Sequence, residues 1–564
     1  MSSLVRVVAA VAILLGFALP VSAEGEMPQI TIVQSSVKGL LSDLEYIIKL
    51  AGEKGEEQWD TISETIEVFL EGVNREKPLR VDIITDEGIE YRISIPFDDF
   101  NDFIANIEAF GIEADKLEKD LYELGGELFA DLGAAKPYMK VFKGYVIISF
   151  RKALLEKFDP TKGIDDLSKN YDLAIRVTNN EDGQDKRREF FQGLSEELLD
   201  GLEKEKGESD DDFVLKKRAL ETQLQEGERF FVEASKLVLG WNTDPPKNEG
   251  RLALHLAALA KTSLLESIEM LSTKPSYFQN IKKADDAILF GRLNHPLDDM
   301  RKKNFSDLIK LVRKAGTGKI EGSDSRNAEE KAKGAEGLGM FLDMLAAGIE
   351  AGVADGFVQV RETGGKRTLV GGIKSPDGNA LVDVLKLYGA GKKSRKVSIE
   401  ASKDGDVAFH SVSVPERYQD MFKNFFGDDT TIHFGTSKEA IWFATGDGAV
   451  DAIKAAIKEA AGDAEANKTF AELSIKVGPW IKFLDERRKK AAEENPPSKE
   501  EKDANEQRDK LRQMALDAFE KGGDTVELRI DRVDSHVEGV TKFGEGILRF
   551  LGMAIADFAE STLQ

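Results

Sequence analysis

Residues 79–111, LRVDIITDEGIEYRISIPFDDFNDFIANIEAFG, constrain the fold of this chain more than any other stretch. Val81, Ile83, Tyr91, Ile93 and Ile95 alternate with polar neighbours, the period of strands with one buried face. Asp86, Glu87 and Gly88 separate the two runs, a link short enough to close a hairpin. After Pro96 the period changes, and Phe97, Phe100, Ile104, Ile107 and Phe110 fall on one helical stripe that Gly111 stops. Strand, turn, strand and amphipathic helix make one unit. It returns at residues 357–389, where Gly364 and Gly365 close the hairpin and Leu381, Val384, Leu385 and Tyr388 stripe the helix.

The order around this unit also returns. An opening strand (QITIVQ) and two helices, striped by Leu40, Leu41, Leu44, Ile47 and Ile48 and by Ile62, Ile66, Phe69 and Leu70, precede the first copy. A strand at 286–290 and helices at 297–312 and 335–349 precede the second. YDLAIRV at 171–177 is matched by AELSIKV at 471–477, each followed by a long charged helical region and a closing hairpin. The pattern predicts an α+β fold of two tandem homologous halves, each an antiparallel sheet packed against long amphipathic helices. The boundaries are 1–23 for a signal peptide, 24–280 for the first repeat and 281–564 for the second. Residues 272–283, with few apolar positions, read as the linker between them. Residues 316–333, rich in glycine and charge, read as a mobile loop, and residues 493–505 as a charged low-complexity stretch.

The N-terminus carries Arg6, an apolar run at 7–19, Pro20 and the small-residue ending Val21-Ser22-Ala23. That is the grammar of a cleaved secretory signal, and the apolar core is short of the roughly 20 residues a transmembrane helix needs. No later segment is apolar for long enough to span a bilayer, so the expected location is periplasmic or extracellular. With no Cys in the sequence, disulfides, iron–sulfur clusters and thiolate zinc sites are excluded, and stability must come from core burial. The aromatic content is 32 Phe against 9 Tyr and 4 Trp, which favours packing without polar handles. A net charge of −24 argues against nucleic acid or an anionic membrane surface as partner.

The chemistry-bearing residues have plain structural explanations. The five histidines, His255, His295, His410, His433 and His536, lack HExxH spacing and a second His at i+2 or i+4, so a helical zinc site has no ligands; all but His295 fall in predicted strands. Asp98-Asp99 and Asp298-Asp299 could hold a cation, but each pair opens a helix, where carboxylates cap free N–H groups. Asp210-Asp211-Asp212 is another helix start, and there is no DxDxDG loop. Gly389 to Ser394, GAGKKS, fails as a phosphate loop because Lys386 stands where the upstream Gly belongs and Lys393 replaces the hydroxyl residue. No G-x-S-x-G elbow occurs. No catalytic, cofactor-binding or metal-ligating residue is assigned.

The closing hairpin LVLGWNTDPPKNEGRLALHLAA, with the signal peptide, the absence of Cys and the repeated strand–helix units, resembles a group of secreted proteins of unknown function from planctomycete bacteria. The resemblance implies an exported, non-catalytic protein and carries over no functional residue. The expected function is binding or a structural role toward a protein or a hydrophobic small molecule. A carrier of a hydrophobic ligand or lipid is the alternative, and a hydrolase without a recognisable motif the third reading.

Overall fold

A computed structural model describes residues 29–85, 89–126, 136–324, 326–390, 396–462, 467–494 and 499–563. The leader at 1–23, the hairpin link at 86–88 and residues 391–394 of the glycine–lysine segment lie outside the described residues.

Strand β1 (Gln29–Gln34) is followed by helices α1 (Val37–Lys49) and α2 (Glu53–Phe69), strands β2 (Leu79–Ile84) and β3 (Glu90–Pro96) and helix α3 (Phe100–Ala109). Four short strands come next: β4 (Glu113–Glu118), β5 (Leu121–Gly125), β6 (Tyr138–Phe142) and β7 (Tyr145–Ser149). Then follow α4 (Ala153–Glu156), α5 (Asp165–Asn170), β8 (Leu173–Thr178), α6 (Gln184–Asp200) and α7 (Asp210–Glu233). The hairpin β9 (Ala234–Asp244) and β10 (Glu249–Ala258) and helix α8 (Ser263–Met270) complete this part. The rest opens with β11 (Ala287–Pro296), α9 (Asp299–Glu321), α10 (Ala328–Glu350), β12 (Val353–Thr363), β13 (Lys366–Lys374) and α11 (Ala380–Ala390). It continues with β14 (Val397–Asp404), β15 (Val407–Ser413), α12 (Glu416–Phe426), β16 (Thr431–Thr436), β17 (Ala440–Gly446) and α13 (Ala449–Ala460). It ends with β18 (Thr469–Lys476), α14 (Val477–Glu494), α15 (Lys499–Glu520), β19 (Thr525–Val533), β20 (His536–Gly544) and α16 (Glu545–Leu563).

All these strands join one antiparallel sheet rather than the two separate sheets the sequence suggested. One arm runs β4-β5-β6-β7-β3-β2-β1-β8-β9-β10. The other runs β14-β15-β16-β17-β13-β12-β11-β18-β19-β20. The arms meet where β10 pairs with β20, from Glu249 opposite Gly544 to Ala257 opposite His536. Read outward from this seam, the two arms repeat one order of strands. The fusion has a simple cause: each arm ends in a long hairpin whose outer strand would otherwise present unpaired N–H and C=O groups, and the two outer strands satisfy one another.

Long helices cross the seam as well. Helix α7 lies antiparallel along α9, tied by Arg229–Asp298 (2.7 Å), Arg301–Glu226 (2.6 Å), Arg218–Asp307 (3.3 Å) and Lys314–Asp211 (2.8 Å). At the other end of the molecule α16 packs on α1 and α2, and α15 packs on α16. Gly552 is what lets α16 approach, because a Cβ there would sit 2.0 Å from the Ile47 carbonyl oxygen.

Three sequence expectations are corrected. Of residues 316–333, 316–321 end α9 and 328–333 begin α10, so most of the expected loop is helix. Gly316 serves close helix packing, since a Cβ there would come within 2.6 Å of Leu338; Gly334, just past the segment, does the same against Ile320 at 3.3 Å. Residues 272–283 are not a loose linker, because Phe278 (0 % exposed) and Ile281 (3 %) are buried in the aromatic core with Phe357, Trp442 and Ile453. The described parts of 493–505 belong to the ends of α14 and α15, which pack on each other.

The helix after the first hairpin packs its half-buried stripe against the core, but its most deeply buried aromatic is Phe103, which the stripe did not include. Phe97, Phe100, Ile104 and Ile107 pack around Phe103, Leu124, Met139 and Val146. They meet Leu79 and Ile95 of the hairpin, whereas Ile93, expected beneath them, remains partly open to solvent. The two acids before this helix divide their work. Asp99 is the N-cap, accepting from the N–H groups of Asn101 (2.8 Å) and Asp102 (3.2 Å), and Asp98 accepts from the Asn74 amide. Phe103→Ala should therefore cost about 3–5 kcal/mol, and Asp99→Ala about 0.5–2 kcal/mol, in equilibrium urea unfolding. Equal losses would mean that Phe103 is not a core anchor.

A second prediction concerns Asp43 on α1. Half-buried and facing Asp172, its carboxyl is pushed up to about 7, burial being the larger cause and the Asp172 charge the smaller. Folded, it holds its proton more tightly than in the unfolded chain, where aspartate titrates near 3.8. Its stabilising contribution is complete below about pH 4 and is lost as pH rises through about 7. Allowing for solvent screening of the exposed half, the loss should be roughly 1–2 kcal/mol. Asp43→Asn should gain stability relative to the parent between pH 5 and 8 in urea titrations; parallel curves would show the shift to be absent.

Candidate functional site

Because directly opposed residues of an antiparallel pair share a face, the registers sort the side chains of the sheet into two surfaces. Over the second arm, one surface is closed. Phe290, Phe357, Val370 and Trp442 lie beneath Phe278 and helix α13 in the aromatic core. In the first arm the same surface packs Val33, Ala174 and Val238 under Ile164 and Leu167. Between these covers, at the seam, the surface is a charged groove of about 530 Å3 lined by Arg251, Lys283, Glu472, Glu527, Arg529 and Lys542 among others. Most of its charges are paired, as in Lys283–Glu527 (2.5 Å) and Arg529–Asp531 (2.9 Å). Hydrogen bonds from Thr469 and Arg529 hold Asp531 below the usual carboxylate range against the opposing effect of burial.

The opposite surface is apolar and incompletely covered. One row across it reads Leu528, Leu473, Gly291, Val358, Gly371 and Phe443, and the adjacent row Ile530, Ala471, Leu293, Gly356 and Ile373. Leu293 (42 % exposed), Ile373 (50 %) and Leu473 (38 %) stand in interior strands yet meet solvent. They border a shallow trough of about 490 Å3 that also includes Gly291, Gly356, Val358 and Leu528. Asn294, Val353 and Lys374, on the same three strands, help line a second cavity of about 510 Å3 with Glu266, Glu269 and Lys274. In the first arm, Ile93 and Leu173 are exposed on the corresponding surface. Folded monomers seldom leave such rows uncovered without a use for them.

The glycines shape this trough. Gly291 lies between Leu473 and Val358, and Gly356 between Leu293 and Ile373. Flanking strands two steps apart are about 9–10 Å from one another, so a glycine on the middle strand leaves a slot between two large side chains. The nearest atoms to a Cβ built on Gly291 are Val358 at 3.5 Å and Leu473 at 3.8 Å, so an alanine would begin to fill it.

The residues weighed in the sequence distribute as follows. His410 is a buried sheet residue, accepting from the Glu400 N–H (3.1 Å) and bonded to Thr436 (2.9 Å). His295 stands one residue before the end of β11, 2.7 Å from the Pro296 carbonyl oxygen, and burial holds its pKa down. His433 lies 3.7 Å from Asp429. Asp298 caps α9, accepting from the Arg301 N–H (2.9 Å), and binds Arg229. Asp211 and Asp212, in the first turn of α7, bind Lys314 and Lys319 of α9. None of these is a site.

His255 and His536 are different. Strand pairing at the seam sets their ring centroids 4.5 Å apart, and Glu538 joins them with its carboxylate 3.2 Å from His536 Nε2. Local spacing could not reveal this cluster, because His255 comes from the other arm than His536 and Glu538. Among the described residues no helix is long and apolar enough to cross a membrane. No family model, no curated protein and no solved structure matches the chain.

Proposed function

We propose that the protein is an exported, non-catalytic binding protein that holds the acyl chain of a lipid or similar amphiphile against the apolar surface of its sheet. The observation that carries this reading is the exposure of Leu293, Ile373 and Leu473 on interior strands, around glycine-floored slots. An added protein strand is a poor occupant, because the backbone groups of β11, β12 and β18 are already spent on their neighbours. A helix is about 10–12 Å across with its side chains and too wide for a slot between strands two steps apart. A polymethylene chain fits and needs no hydrogen bonds. The neighbouring cavity, edged by Lys274, Lys374, Glu266 and Glu269, offers charged groups to a head group. The repeated strand order of the two arms supports the further proposal that they are copies of one duplicated unit. The leader-like N-terminus supports export, and kinship with the planctomycete secreted proteins remains part of the same proposal.

The test is displacement of a fluorescent fatty-acid probe, with native mass spectrometry of protein purified without detergent. Each buried aliphatic contact is worth about 1.5–3 kcal/mol, so Ile373→Glu and Leu473→Glu should each weaken binding by about 10–100-fold. Both side chains are solvent-exposed, so circular dichroism should be unchanged. A parent that binds no probe and flies as a clean apo mass would overturn the carrier reading and leave an interaction module.

A further inference from the structure

We propose that His255, His536 and Glu538 form a binding site for one borderline divalent cation, Zn2+ before others, that clips β10 to β20 across the seam. This inference is independent of the apolar trough, which lies on the other surface of the sheet.

The ladder itself builds the site. His255 stands directly opposite Glu538, and His536 follows two residues before Glu538 on the same strand, so all three side chains leave one surface. Each offers one ligand atom, and the three atoms lie within 4.8 Å of one another. In a tetrahedral zinc site with bonds of about 2.0–2.2 Å, donors sit about 3.3 Å apart. Side-chain rotation of about 1.5 Å or less closes the difference, and the His536–Glu538 pair is already at 3.2 Å. Two imidazoles and one carboxylate suit zinc and the later first-row ions, whereas calcium and magnesium prefer an all-oxygen shell. Three protein ligands leave a fourth position for water. The two histidines are half-buried and Glu538 is exposed, so a cation enters from solvent without strand separation.

The surroundings permit the charge. Lys236 on β9 faces the same surface, but Asp166 neutralises it at 3.2 Å. Asp531 on β19 stands opposite Glu538, engaged by Arg529, Lys468 and Thr469, and adds a negative neighbour rather than a fourth ligand. Tyr171, packed before β8, feels the Glu538 carboxylate, and its phenol is raised mainly by burial. Burial, with His536 and Lys236 close by, lowers the pKa of His255, against the opposing Glu538 charge.

The experiment is isothermal titration of tag-free full-length protein with ZnCl2, with MgCl2 and CaCl2 as hard-cation controls. Visible absorption of the Co2+-loaded protein reports the ligand set. One Zn2+ per chain is expected, with binding lost by more than about tenfold in His255→Ala and in His536→Ala and retained in His433→Ala. Zn2+ should also raise the thermal midpoint of the parent and leave both variants unmoved, because a clip across the seam stabilises only the paired form. Should either alanine variant fail to fold by circular dichroism, His255→Gln and Glu538→Gln serve in its place. No saturable zinc binding, equal binding in the ligand variants, or equal affinity for Mg2+ or Ca2+ would overturn the proposal.

Discussion

The β10–β20 ladder is the contact on which the rest of the structure depends. Its registered pairs from Glu249–Gly544 to Ala257–His536 turn two ten-strand arms into one sheet. Without it, each arm would end in an open edge of about ten residues, with backbone groups ready to pair with another chain. The ladder also fixes the angle at which helices of one arm reach those of the other. The α7–α9 zipper, with Arg229 buried against Asp298 and Arg301 on Glu226, assembles only when the seam has registered. The charged groove and the histidine pair have no existence apart from it, since both take residues from each side.

The two arms fill equivalent space by opposite means. In the second, hydrophobic rings do the work: Phe278 lies 5.2 Å from both Phe357 and Trp442, edge-on to the indole. In the first, a charged cluster occupies the closed surface. Asp82 accepts from Thr31 (3.0 Å), Arg80 (2.9 Å) and Arg92 (3.1 Å), and the Phe158 ring covers both guanidinium groups. Arg80 and Arg92 hand their remaining protons to the carbonyl oxygens of Lys162 (2.7 Å) and Leu154 (3.1 Å). A buried ion cluster stabilises less than an aromatic core of equal volume, but a fully bonded one enforces a single arrangement of the chain. The apolar surface shows the reverse economy: Leu293 and Ile373 forgo burial that the fold had available to it.

Local periodicity made the elements legible in the sequence, but it could not reveal how they meet. The alternation of Val81 and Ile83 or of Leu173, Ile175 and Val177 reports a strand, and the stripe of α3 reports a helix, because each depends on neighbours a few residues away. Glycine misled at 316, where the missing Cβ serves contact between helices rather than freedom of the backbone. The segment at 272–283 looked vacant because one residue, Phe278, carries its anchoring, and a lone Phe has no period. His255 and His536 were invisible as a pair for a related reason: register across the seam brings them together, and no spacing within one strand encodes it. The apolar trough was hidden too, since an exposed and a buried leucine in a strand leave the same mark on the sequence.

The seating of Gly552 against the Ile47 carbonyl has a consequence for how the chain is made. The first helices of the described chain rest on its last one, joined also by Lys54–Glu560 at 2.6 Å. A nascent chain therefore holds α1 and α2 without α16 until the second arm has been made. Contacts so distant in sequence form late and slowly, because a very large loop must close before they return any stabilisation. Until then β10 offers a bare strand and α7 an unmatched row of charges. For a chain that crosses a membrane before folding, late closure is an advantage, since an unfinished fold can still be threaded. For a chain cut or stalled after its first arm, the same feature leaves a product with one sticky edge and no means of hiding it.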